Sequence, residues 1–364
     1  MRLVGAPEPD GSVLLASARG KAPGVYHPGA AQLPALARVG ILCDTLHGDP
    51  EVGIDLEKGL DHAAELITTL GFTPVIDTQH ATVSPYFERW AGSVEARVRH
   101  FIRLIEELEV DAVFPLFGKG GYHAVVDALA ASGYRPRRPV ALIGGFSHHS
   151  DWSLFGQSEA GRGFFSHLIS TTQCAYWKML PAANVDNLHS VLHCAEAVEY
   201  TGLLGLNPAA VNGGVLEGAL VGGNLSAVLR NLRKPWCPDY GGKIVVCEDY
   251  DNAPHEVHFR ATEFVRTLEQ AGARAAIFGA MLPQKRATLA RQSPERRKLE
   301  AARDNAEIAA ILREAASGVS IPVFAHAGIC SHGAMNYPLG FGGFARVSVS
   351  RDGSASLYNR LEVL

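Results

Sequence analysis

The sequence predicts an α/β protein, with a parallel sheet covered by helices on both faces followed by a second α/β unit. Three observations carry this reading. Short apolar runs of strand length alternate with amphipathic helical patterns from residue 37 onward. The 38 glycines and 20 prolines suit a chain with many tight strand–helix junctions. The 364 residues exceed the usual size of one compact core, so two domains are expected.

The elements follow in order. Residues 1–37 are rich in Gly, Pro and Ala and form an irregular arm with one short strand. ARVGILCD (37–44) is a buried strand, and IDLEKGLDHAAELITTLG (54–71) is a helix closed by Gly71. FTPVIDT (72–78) is the next strand. EARVRHFIRLIEELEV (95–110) is an amphipathic helix, followed by the strand DAVFPLF (111–117). A loop leads into the helix of KGGYHAVVDALAASG, and RPVALIG (138–144) is again a strand. Residues 152–212 are less regular and read as containing a connection between domains. GVLEGALVGGNLSAVLRNL (214–232) reads as strand, glycine turn and helix, and KIVVCEDYD (243–251) as a strand. HEVHFRATEFVRTLEQAG (255–272) is a helix and ARAAIFGAML (273–282) a strand. A charged helix from about Arg286 to Ala316, the strand IPVFAHA and a closing hairpin-like pair complete the chain. The expected division is an arm (1–37), an N-terminal domain (38–165), a connection (166–212) and a C-terminal domain (213–364).

Hydrophobic content of 47% and charge of 19% are those of an ordinary soluble globular protein. A net charge of −4 leaves no electrostatic footprint for a nucleic acid polymer. The start MRLVGAPEPDGSVLLASARG lacks the layout of a signal peptide, and no run reaches the ~20 apolar residues of a membrane span. Cys43, Cys174, Cys194, Cys237, Cys247 and Cys330 include no CxxC pair, so reduced thiols and a cytoplasmic location are expected.

Parallel sheets place ligands at the carboxyl ends of their strands. Ser147 lies there, in ALIGGFSHHSD, where Gly144 and Gly145 permit a sharp turn. A serine that merely caps the next helix has the same local sequence. In FGKGGYH, Gly120 and Gly121 offer exposed amides at a strand-to-helix junction, suited to an oxyanion or to a phosphate. No GxxxxGK[ST] or GxGxxG stands there. Glu248 ends an apolar strand, where a carboxylate can hold an imidazole tautomer; a solvated loop acid is the plainer alternative. His332 lies in a glycine-flanked loop, with His326 as a competitor nearer the strand. A serine hydroxyl needs a base to take its proton and a third group to orient that base, and these three side chains are of the right types. His148, His149 and Asp151, or His255 and His258, match neither HExxH nor a zinc-ribbon spacing, so no metal is expected.

Taken in this order the segments resemble the LD-carboxypeptidase family of serine peptidases, which includes the microcin C immunity peptidases. FGKGGYH resembles the family's oxyanion segment, GGFSHHSD its nucleophile segment and LEGALVGGNL its GxLxGGNL signature. KIVVCEDYD and HAGICSHGAMNYPLG resemble its carboxylate strand and its GHG…PLG segment. The resemblance runs from about residue 38 to the end. It implies a Rossmann-like nucleophile domain, a mixed α/β C-terminal domain and an active site in the cleft between them. It implies a triad of Ser147, His332 and Glu248, with oxyanion donors at the His148 amide and the Gly120–Gly121 loop. Asn224, Lys119 and Trp177 become candidates for substrate binding. A homodimer, no metal and no cofactor are also implied.

Departures from the family pattern surround the site. His123 replaces a glycine, Lys119 an arginine, and Ser331 the glycine before the histidine. His148-His149 follow the nucleophile instead of aspartate, and Ser150-Asp151 come three residues later, which makes Ser150 an alternative nucleophile. The activity implied is cleavage of an amide next to a terminal carboxylate through an acyl-enzyme, on a small peptide such as an L,D murein tetrapeptide. The alternatives are an immunity amidase acting on peptidyl- or aminoacyl-nucleotides and a biosynthetic acyl-transfer enzyme.

Overall fold

Short strands, several of them buried, alternate with helices that turn one apolar face inward in the N-terminal half. The computed structural model describes residues 24–28, 38–43, 54–77, 85–86, 90–117, 122–144, 150–168, 174–179, 182–193, 195–212, 214–283, 294–326, 328–329 and 338–361. After β1 (Gly24–Pro28) come β2 (Arg38–Leu42), α1 (Leu56–Thr69), β3 (Thr73–Ile76), the two-residue strands β4 (Pro85–Tyr86) and β5 (Trp90–Ala91), and α2 (Val94–Glu106). Then follow β6 (Ala112–Pro115), α3 (Tyr122–Ser132), β7 (Val140–Ile143), α4 (Ser150–Gly156) and β8 (Phe164–Leu168). Local signals set the helix starts: Asp55 caps α1 by accepting from the Lys58 amide, and Ser93 caps α2 by accepting from Ala96. Phe101, Leu104 and Ile105 turn the buried face of α2 inward.

The first sheet has the order β14-β8-β7-β6-β2-β3. Its five N-terminal strands run parallel, and β14 (Leu339–Phe341) joins β8 antiparallel from the far end of the chain. Strand order reverses between β2 and β6, the kind of place where such sheets hold ligands.

The second half contains α5 (Ala182–His193), β9 (Ala195–Gly205), β10 (Gly214–Asn224), α6 (Leu225–Asn231), β11 (Ile244–Asn252), α7 (Pro254–Gln270) and β12 (Ala275–Pro283). It closes with α8 (Pro294–Ser317), β13 (Val323–Ala325), β14, β15 (Phe344–Val349) and β16 (Ala355–Arg360). The order β1-β9-β13-β12-β11-β10-β15-β16 returns on itself, because β16 also pairs with β9. β10, β11, β12 and β13 are mutually parallel and the remaining pairs antiparallel, so the sheet is mixed.

Three features differ from the sequence-based expectation. Residues 152–212 are more regular than their composition suggests, with α4, β8, α5 and an 11-residue β9. β10 does not turn at its glycine pair. It continues to Asn224, because Gly222 and Gly223 still pair with Val246 and Cys247. The short strand of the N-terminal arm belongs to the second sheet, on β9. Among the described residues, no helix is long and apolar enough to cross a membrane.

Asn359 anchors the crossing strand. It is fully buried; its Nδ2 donates to the carbonyls of Gly340 (3.1 Å) and Phe344 (3.3 Å), and its Oδ1 accepts from the Gly340 amide (2.6 Å). Removing it strands buried backbone groups, so Asn359→Ala is expected to lower unfolding free energy by about 1–3 kcal/mol. Urea denaturation measures this, and a midpoint equal to wild type contradicts the anchoring role.

Candidate active site

Glu248 is fully buried, and it lies in the middle of β11 rather than at its end as the sequence suggested, because the strand runs on to Asn252. Its neighbour across the parallel ladder is Asn224, the last residue of β10. The Asn224 Nδ2 donates to Glu248 Oε1 (3.4 Å) and to Asp249 Oδ1 (2.8 Å), while its Oδ1 accepts from the Ala227 amide and caps α6. Asp249 is held further by the Ser226 hydroxyl (2.6 Å) and amide (3.2 Å), and Arg260 lies 3.5 Å away. Arg260 also donates to the Ser226 hydroxyl at 2.8 Å. A buried carboxylate needs such partners, since desolvation without them costs several kcal/mol. The solvated-loop alternative for Glu248 therefore does not describe its surroundings.

A register shift sets the geometry here. Cys247 pairs with Phe278 but Asp249 with Met281, so Glu248 alone faces both Gly279 and Ala280 of β12. A side chain on Gly279 would put its Cβ 2.3 Å from the Ile329 carbonyl and 3.0 Å from the Glu248 Cβ. The bare glycine lets the segment after β13 cross against Glu248, where the Ala280 amide donates to Ile329 O (2.7 Å). Three residues later the sequence reaches His332, which lies outside the described residues.

His326 is engaged at both ring nitrogens. Nδ1 accepts from the Gly328 amide (3.1 Å), which leaves the proton on Nε2 to be donated to the Thr201 carbonyl (3.1 Å). This side chain shapes the turn rather than offering a base. Burial holds its pKa below the ordinary 6.5.

The start of α4 is anchored to the end of β10. Gly144, with φ of 84°, turns the chain out of β7. Ser147 and His148 lie outside the described residues, and the chain returns at Ser150, the first residue of α4. Ser150 is fully buried and its Oγ accepts from the Asn224 backbone amide (2.8 Å). Asp151 is bound by Arg230 (2.8 and 3.0 Å) and by the Asn231 amide. Gln157 closes the far end of α4 with a two-sided clamp, donating to Gly222 O (2.9 Å) and accepting from Gly222 N (2.7 Å).

Lys119, Gly120 and Gly121 also lie outside the described residues, between Phe117 and Tyr122. Leu42, Val113, Pro115, Ile143 and Gly144, at the ends of three adjacent strands, line one apolar pocket. Trp177 donates its indole N–H to the His62 carbonyl (2.6 Å), with the Lys178 ammonium 5.5 Å over the ring, and so braces α1. Among the described residues, no group of His, Cys, Asp and Glu is arranged to hold a metal. Burial pushes the Cys247 thiol pKa well up, and the neighbouring Asp249 and Glu248 carboxylates add to the rise. Sequence reasoning passed over Gln157, Asp249, Arg260 and Gly279. The last carried a usable signal, an isolated glycine inside a strand pattern.

The model of the LD-carboxypeptidase C-terminal domain matches residues 217–347, the stretch that contains Asn224, Glu248 and His332. This segment is similar to the C-terminal domain of the LD-carboxypeptidase family. Over most of its length the chain shares its two-sheet fold with solved structures. An MccF-like protein from Bacillus anthracis is 14% identical, with 91% of this chain and 99% of that one covered and a TM-score of 0.65. Muramoyltetrapeptide carboxypeptidase from Oxalobacter formigenes is 20% identical, covering 89% and 99%, with a TM-score of 0.62. The microcin C7 self immunity protein MccF in complex with aspartyl sulfamoyl adenosine is 17% identical, covering 92% and 99%, with a TM-score of 0.62. No curated protein matches the sequence. Within the matched stretch, Asn224 ends β10 while Glu248 and Asp249 lie in the middle of β11.

The state of His326 gives a pH prediction. Above 6.5 the ring is neutral both folded and unfolded; below it the unfolded chain takes up a proton that the folded chain resists. The stability this side chain contributes is therefore lost as pH falls below that value. Urea unfolding between pH 7.5 and pH 5.5 is expected to show a shallower pH dependence for His326→Gln than for wild type. Identical slopes contradict the buried neutral imidazole.

Proposed function

We propose that the protein is a serine hydrolase of the LD-carboxypeptidase type, with Ser147 as nucleophile, His332 as base and Glu248 as the orienting carboxylate. One observation carries the reading: Glu248 is a buried, hydrogen-bonded carboxylate flanked by the approaches to both partners. Ile329 crosses β12 beside it, and Ser150 is bonded to the Asn224 that holds it. His332 follows Ile329 by three residues and Ser147 precedes Ser150 by three, so each has at most ~10–11 Å of chain to span.

In this mechanism His332 takes the Ser147 proton as Oγ attacks the carbonyl carbon of the scissile amide. The oxyanion is met by backbone amides of the Gly120–Gly121 loop and of His148. Collapse expels the amine, which leaves with the proton from His332. Water, deprotonated by the same imidazole, then cleaves the Ser147 ester and releases the second product. Glu248 holds the tautomer that makes His332 a base toward Ser147. Ser150, with its hydroxyl accepting from Asn224, fits an anchoring role. Lys119 provides the charge for a terminal carboxylate. A homodimer in the cytoplasm goes with this reading.

The substrate class follows the two kinds of relative: a murein-like L,D tetrapeptide first, and an aminoacyl-nucleotide amide second, since MccF is solved with aspartyl sulfamoyl adenosine. A fluorophosphonate probe is expected to label Ser147 and to leave Ser147→Ala unlabelled. Loss of labelling in Ser150→Ala with retention in Ser147→Ala contradicts the assignment. Glu248→Gln is expected to slow labelling by about 10²–10⁴-fold, the usual range for a disabled acid–base partner. Turnover of murein tetrapeptide against aminoacyl-sulfamoyl-adenosine, followed by mass spectrometry, ranks the two classes; turnover of neither contradicts the hydrolase reading.

A further inference from the structure

We infer that Tyr122 is a positioning residue for the oxyanion loop, acting through the carbonyl of Phe117; the inference rests on the hydrolase reading above. Tyr122 opens α3 and is 2% exposed. Its hydroxyl donates to Phe117 O at 3.0 Å. That bond joins the two ends of the short segment that carries Gly120 and Gly121. A phenylalanine would fill the same apolar space, so the hydroxyl is the part of this side chain that packing does not require.

The ring is itself fixed from two sides. The Arg97 guanidinium of α2, 1% exposed, lies 5.2 Å from the ring centroid. Trp152 of α4 meets the ring edge-on at 6.2 Å and stacks on Phe101 at 4.2 Å. Trp152 belongs to the helix that follows the Ser147 segment. The aromatic group thus connects the segment after β6, where the oxyanion donors are proposed, with the segment after β7, where the nucleophile is proposed. Donors must sit within ~2.7–3.1 Å of the developing oxyanion, and losing one costs on the order of 10²–10³ in rate. A loop untied at its base keeps its donors but holds them less accurately, so the expected loss is smaller, about tenfold.

The test uses the full chain and a fluorophosphonate, whose tetrahedral adduct needs the same donors. For Tyr122→Phe, kinact is expected to fall about tenfold while KI stays within about twofold and the thermal midpoint is kept. A purely packing role would leave kinact at the wild-type value, and that result overturns the inference. A rise in KI with unchanged kinact also overturns it, by making Tyr122 a binding residue. Should Tyr122→Phe fail to fold, Trp152→Phe serves instead. Its indole N–H has no hydrogen-bond partner among the described residues, so that exchange weakens the edge contact that fixes the Tyr122 ring and breaks no described hydrogen bond. It is expected to lower kinact about threefold, and an unchanged kinact overturns the inference. An unlabelled wild-type protein strikes the hydrolase reading itself, which separates the two failures.

Discussion

The side chain and backbone of Asn224 join the two sheets at one point. Its Nδ2 reaches Glu248 and Asp249 on β11, its Oδ1 caps α6, and its own amide donates to Ser150 at the start of α4. Each bond is buried, where the lowered dielectric strengthens a made interaction and penalises a missing one. Losing the side-chain amide would take one donor from each of two neighbouring buried carboxylates. The rest of the site is built around keeping that arrangement, with Ser226 and Arg260 behind Asp249 and the α4 clamps on the other side.

Rigidity on the carboxylate side and on the helix side has different sources. The carboxylate sits on a central strand of a closed sheet, paired on both edges, and the register shift opposite it opens room for the segment after β13. The helix α4 is only seven residues long and would be marginal alone. Three polar ties to β10 and α6, at Ser150, Asp151 and Gln157, fix it instead. The sequence placed Asp151 where the family pattern has none, and the structure gives it a partner in Arg230, so this departure has become part of the docking of α4.

Much of the fold was legible because its signals are local. Apolar runs such as VALI and AVFP cannot satisfy themselves except in a two-sided sheet, and Asp55 and Ser93 announce their helices. What local pattern does not encode is which distant strand supplies a partner. β9 reads poorly because Glu199, Thr201 and Gly202 interrupt its apolar run, yet it pairs with β1, β13 and β16. β14 crosses to the other sheet for the same reason: its partner β8 lies far away in sequence. The burial of Glu248 was only half legible. An apolar run followed by two acids suggests a strand end, yet the strand continues to Asn252, the donor Asn224 stands 24 residues earlier and the bulge depends on Gly279. The segments of Ser147 and His332 rest on motif alone, because both residues lie outside the described residues.

The most direct measurement is a crystal structure of the protein carrying a covalent aryl phosphonate. The account predicts phosphorus bonded to the Ser147 oxygen, the His332 ring within hydrogen-bond distance of that oxygen, and its other nitrogen donating to the Glu248 carboxylate. Phosphorus on a different residue, or an imidazole facing away from Glu248, would contradict it.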